Sequence, residues 1–137
     1  MDEKRVAHGL LPAAVLLFAA AVLPAGAGQY DQPYSIIRTD YKQSSDPLLR
    51  SVIVNRVDGQ NFLNNEAVVP PGPHTVTMDL PPRKGFTIGT QVDFPLETKP
   101  CTRYYVAARL HTQTTQAWDP VVRYEEPIGE CRKKFKL

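Results

Sequence analysis

The clearest pattern along the chain is alternation. In "HTVTMDL" (74–80), Val76, Met78 and Leu80 share one row, and Thr75, Thr77 and Asp79 share the other. Successive side chains of a strand point to opposite faces, so this period of two predicts a strand with one buried face. His74 falls in the apolar row, at the mouth of the strand. There it covers the core edge or hydrogen-bonds the "PPGP" turn before it. "FTIGTQVDFPLE" (86–97) repeats the pattern: Phe86, Ile88, Val92, Phe94 and Leu96 lie against Thr87, Gln91 and Asp93. Pro95 has no N–H for a ladder, which places the end of this strand at an edge or a bulge. In "TRYYVAARLH" (102–111), Tyr104, Val106, Ala108 and Leu110 form the core row. Arg103, Tyr105, Ala107 and Arg109 form the solvated one.

The remaining segments read as shorter strands and turns. "YSIIRT" (34–39) is a first edge strand and "KQSSDP" (42–47) a loop. "LLRSVIVNRVDGQNF" (48–62) is a β-branched run broken by Asp58-Gly59, both of which tolerate positive φ in a tight hairpin turn. "AWDPVVRYEEPIGEC" (117–131) supplies the last strand. No long window has helical apolar spacing, and proline and glycine punctuate the runs throughout. The fold class that follows is all-β: a single small antiparallel β-sandwich, immunoglobulin- or transthyretin-like, of six or seven strands.

The first 27 residues change the picture of where the chain resides. Asp2, Glu3, Lys4 and Arg5 precede the apolar run "LLPAAVLLFAAAVL", and Ala25 and Ala27 give a small-x-small pattern. This reads as a secretory signal peptide (1–27) cleaved after Ala27, leaving a sandwich domain over 28–137. Pro12 and Pro24 interrupt the run, which is shorter than the roughly 20 residues a spanning helix needs. The expected location is the periplasm or the exterior, with no transmembrane segment in the mature chain.

Cys101 and Cys131 are the only cysteines. An even count in an oxidising compartment, without CxxC spacing, predicts one structural disulfide. The formal charge of +2 comes from the end of the chain, where Arg132, Lys133, Lys134 and Lys136 form a basic tail (132–137). Without these four bases the rest is slightly acidic, so a general nucleic-acid footprint is absent. The tail reads as a frayed, soluble end; its alternative is contact with an anionic surface such as lipid headgroups or cell-wall polymer.

"VNRVDGQ" followed by "VVPPGPHTVTMDL" resembles the PEGA-type envelope β-modules, which carry an "xVDGx" hairpin and a "PGxHxVxV" strand. The matching positions are Val57, Asp58 and Gly59, then Pro71, Gly72, His74, Val76 and Met78. "CTRYYVAARL…WDPVV…IGEC" also looks like small exported proteins of Gram-negative bacteria. The resemblance implies an envelope β-sandwich and no catalytic residues.

Candidate chemistry is sparse. The serines Ser35, Ser44, Ser45 and Ser51 stand in no nucleophile motif, and Glu125-Glu126, adjacent on a strand, point to opposite faces. His74 and His111 have no HxH or HxxxH spacing to hold a metal with Asp79 or Asp119. No glycine-rich phosphate cradle occurs. The expectation is a non-enzymatic protein with no metal and no cofactor. The possible binding face is Arg103, Tyr105 and Arg109, with Arg123 or Tyr124 on a neighbouring strand; the alternative is a merely solvated sheet face. Trp118 reads as a packing residue. The expected function is an exported envelope or secreted binding or structural protein, recognising a protein or cell-envelope component through its shape and its edge strands. The alternative is a small periplasmic chaperone or inhibitor that binds one protein partner stoichiometrically.

Overall fold

A computed structural model describes residues 28–62, 64, 66–82 and 90–137. The proposed signal peptide, Phe86 and Ile88 lie outside the described residues. Two sheets pack face to face, as the alternation predicts. One sheet contains β1 (Ser35–Thr39), β2 (Leu49–Arg50), β5 (Glu66–Val69), β8 (Thr102–Leu110) and β9 (Trp118–Pro127). The other runs in the order β4 (Gln60–Asn61), β3 (Ile53–Val57), β6 (Gly72–Leu80) and β7 (Thr90–Thr98). Strand β8 is the hub of the first sheet. It pairs with β9 along its whole length on one side; on the other, β1 covers its first half and β2 its second. The β1–β8 pairing is parallel, a departure from the wholly antiparallel expectation. The long connection between these two strands permits it.

The predicted core rows are the observed ones. Val76, Met78 and Leu80 of β6 are fully buried and face Tyr104, Val106, Ala108 and Leu110 of β8. On β7, Val92, Phe94 and Leu96 turn inward, and the strand is a sheet edge, as Pro95 requires. Two bulges reset the parity elsewhere. On β3 an extra residue at Asn55 lets both Val54 and Val57, three apart, enter the core. On β9 an extra residue at Arg123 lets Val122 pack inward while Tyr124, two residues on, faces outward. A bulge re-aims side chains in this way because two residues on one strand oppose one on its partner. Trp118 is buried and donates its indole N–H to Thr90 Oγ1 at 2.5 Å, joining the two sheets at their margin.

Asp58-Gly59 forms the two-residue turn between β3 and β4, with φ of 51° and 79°. The turn also anchors His74. The Asp58 carboxylate accepts the Thr75 N–H (2.8 Å) and contacts His74 Nδ1 (2.6 Å). His74 Nε2 meets the Pro70 carbonyl at 2.6 Å, the bond to the "PPGP" turn that the sequence suggests. Both ring partners are acceptors: a neutral imidazole donates to one of them, an imidazolium to both. Hydrogen bonding to His74, then to the Thr75 amide, holds the Asp58 carboxyl below its usual range.

The basic segment after β9 is not frayed. Residues Gly129–Phe135 form a short helix, α1, closed by Lys136 in the left-handed conformation and by the Leu137 N–H on the Arg132 carbonyl. Cys131 on this helix is disulfide-bonded to Cys101, which precedes β8, and both are buried. Ile128 and Phe135 pack with Tyr34 and Ile36 around the bridge, forming a small second core on the outer side of the five-stranded sheet. Among the described residues no helix is long and apolar enough to cross a membrane.

Two outcomes are expected. Replacing both cysteines by alanine lowers stability by about 3–4 kcal/mol in the loop-entropy account, read from urea midpoints; an unchanged midpoint refutes this role of the bridge. Asp58 has a depressed folded pKa, so its contribution is present above the ordinary carboxylate range and is lost as pH falls through the folded value. Asp58→Asn keeps a residue that tolerates positive φ. It should flatten the acid limb of the stability profile and lower stability by about 1 kcal/mol at neutral pH.

Candidate functional site

The outer face of the five-stranded sheet carries the expected residues, in two separate neighbourhoods. Arg103 and Tyr105 converge on one carboxylate of β9: Arg103 Nη1 lies 2.8 Å, and the Tyr105 hydroxyl 2.6 Å, from Glu126 Oε1. The register explains this, since Arg103 sits opposite Glu126 and Tyr105 opposite Tyr124. Arg109 shares their row but lies near the far end of β8, where it pairs with Asp46 Oδ2 at 3.2 Å. Side-chain parity assigns a face, and distance along the strand then separates its members.

Tyr105 and Tyr124 stack with ring centroids 4.2 Å apart and planes 18° from parallel. Arg38 on β1 covers the Tyr105 ring at 5.6 Å, and Lys42 covers the Tyr124 ring at 4.8 Å. Arg38 is in turn paired with Glu66 of β5 at 3.3 Å. Two stacked rings flanked by two cations therefore form a row that crosses the sheet from β1 over β8 to β9. Such pairs contribute about 0.5–1.5 kcal/mol each beyond buried area. An open cleft of about 350 Å³ runs beside the row, lined by Arg38, Tyr41, Lys42, Tyr105 and Tyr124 among others. Beyond it, Arg123 turns from its bulge onto the buried Asp40 carboxylate and the Lys42 carbonyl.

The electrostatics follow from these contacts. The Tyr105 hydroxyl, then the Arg103 guanidinium, hold the Glu126 carboxyl below its usual range. Burial, then the bond to Glu126, pushes the Tyr105 phenol up. Bonding to Glu126 also raises the Arg103 guanidinium. These shifts favour a charged Arg103, a neutral Tyr105 and a charged Glu126, bonded together beside the two stacked rings; guanidinium groups and aromatic rings are the side chains that can grip carboxylates, phosphates or sugars.

The other candidates are apart from this row. His111 is exposed and pairs with Asp119 at 3.1 Å, while His74 belongs to the Asp58 turn in the opposite sheet. Glu125 turns away from Glu126 and pairs with Lys99 at 2.7 Å. Among the described residues, no three of His, Cys, Asp and Glu group closely enough to hold a metal ion. A cavity of about 690 Å³ lies elsewhere, between α1 and Tyr30, Tyr34 and Ile36, and touches the row through Arg103. Arg38, Lys42 and Glu126 were not legible as site residues. Their roles depend on which strands flank β8, and the sequence does not encode that locally. Set against known proteins, the chain matches no family model, no curated protein and no solved structure.

Glu126→Gln removes the charged acceptor. In spectra of tyrosine-labelled protein, the Tyr105 resonance should then titrate at lower pH than in the parent, though still above an ordinary tyrosine because burial acts first. An unmoved titration would contradict the Glu126–Tyr105 coupling.

Proposed function

We propose that the protein is an exported, non-enzymatic binding or structural module of the cell envelope, acting in the periplasm or outside the cell. One observation carries the binding reading: the row of Lys42, Tyr124, Tyr105 and Arg38 on the outer sheet face, with Arg103 and Glu126 fixed beside it. Its side chains are ordered before any partner arrives, so little rotamer entropy is lost on contact. The partner class this suits is a protein or envelope component presenting carboxylate, phosphate or hydroxyl groups. The N-terminal pattern in 1–27 and the disulfide support an exported setting.

Recognition by the face is better supported than recognition by an edge strand. A strand added to a sheet needs a continuous line of N–H and C=O groups. The two long edge strands carry prolines, Pro95 within β7 and Pro120 within β9, and the edge strand β5 is only 4 residues long. Each proline removes a donor, and both blunt the edge.

The test combines fractionation with a face variant. The chain expressed with its own N-terminus should be recovered from the periplasm or medium with the mass of a chain starting at Gly28. It should co-sediment with envelope material at raised salt, which screens attraction between separated charges, and Tyr105→Ala/Tyr124→Ala should weaken that association by about tenfold while leaving the far-ultraviolet spectrum unchanged. Recovery from the cytoplasm at full mass would refute export. Envelope binding unaffected by the double variant would refute the face. Capture of one dominant partner at equal stoichiometry would favour the chaperone or inhibitor reading.

A further inference from the structure

We infer that the disulfide-pinned C-terminal helix is a docking patch for an anionic phospholipid surface. This goes beyond the sheet-face reading and rests on it only for the envelope setting. Residues 129–137 carry four bases, Arg132, Lys133, Lys134 and Lys136, against one acid, Glu130. On the sandwich itself most cations already meet carboxylates, as Arg38 meets Glu66, Arg103 meets Glu126 and Arg109 meets Asp46. At the helix only Lys134 does so, reaching Asp31 at 3.8 Å; among the described residues, Arg132, Lys133 and Lys136 have no side-chain carboxylate partner. All three are exposed. Three bases without a side-chain carboxylate partner therefore lie within 5 residues, on a body that is otherwise slightly acidic.

The patch is held in place. Cys131 is bonded to Cys101, the Ile128 N–H donates to the Cys101 carbonyl at 2.8 Å, and the Cys101 N–H donates to the Tyr34 carbonyl at 2.7 Å. A flexible basic tail would lose its freedom on meeting a surface; this one is already ordered. Two exposed apolar groups flank the bases. Leu137 is 54% exposed and folded back onto Arg132. Tyr30 is 48% exposed and fixed to the helix by Lys134 Nζ on its carbonyl at 2.7 Å. Bases beside an aliphatic side chain and a tyrosine suit the headgroup region of a bilayer, where phosphates meet the cations and the apolar groups reach the acyl boundary. A purely polar polyanion would offer Leu137 and Tyr30 nothing, which is why lipid is the better match.

The test uses the chain from residue 28, which contains the whole described sandwich, and sedimentation with vesicles. Phosphatidylcholine containing phosphatidylglycerol should bind it at low salt; phosphatidylcholine alone should not. Arg132→Gln/Lys133→Gln/Lys136→Gln should weaken binding by about tenfold or more, at roughly one phosphate contact per base, and raised salt should do the same to the parent. Tyr105→Ala/Tyr124→Ala should leave vesicle binding intact, which separates this patch from the sheet face. Should the triple variant misfold, the salt dependence and lipid selectivity of the parent still decide. Equal binding to both vesicle types, insensitivity to salt, or binding to anionic cell-wall polymer without vesicles would each overturn the proposal.

Discussion

The structure depends on burial of the inner row of β8. Tyr104, Val106, Ala108 and Leu110 are all but inaccessible, and they meet the equally buried row of β6. This contact joins the two sheets at the main core, where removal of apolar surface from water drives folding. It also fixes what else β8 can do. Once that row is committed inward, Arg103, Tyr105 and Arg109 must face outward. Once both edges of β8 are paired, its outer residues have neighbours from β1 and β9 at set registers. The candidate site is a consequence of the core, read on the other side of the same strand.

The bulge at Arg123 converts that constraint into a surface. In an unbroken strand Tyr124 would share a face with Val122, which packs in the core. Either the valine would be exposed or the tyrosine buried with its hydroxyl. One extra residue resolves the conflict and lets Tyr124 stack on Tyr105. The displaced Arg123 is not idle: it neutralises Asp40, whose side chain is only 2% exposed and would otherwise be a costly buried charge. The bulge, the stack and the Arg123–Asp40 pair form one local solution.

This also explains what was legible beforehand. The parity of 74–80 and 102–110 and the Asp-Gly turn each depend on neighbours within a few residues, and each was readable. The bulges at Asn55 and Arg123 depend on the partner strand, so periodicity gave no sign of them. The helix 129–135 was unreadable for another reason. Seven residues are too few to be helical on propensity alone; this helix exists because Cys131, Ile128 and Phe135 are held against the sheet. The bond between Asp58 and His74 links two segments 16 residues apart, both individually noticed. Only the β3–β6 pairing brings them together.

The charge distribution separates the two proposed surfaces by mechanism. On the sheet face cations and acids alternate and cancel, as with Arg103 and Glu126, so long-range attraction there is weak. Recognition must come from short-range hydrogen bonds and ring contacts, which demand a matched partner. At the helix three of the four bases have no side-chain carboxylate partner among the described residues, so attraction acts out to about a Debye length and needs no matched shape. A protein built this way would be drawn to a surface by one end and would discriminate with its face. Arg103 belongs to both regions: it anchors the aromatic row through Glu126 and lines the cavity beneath α1.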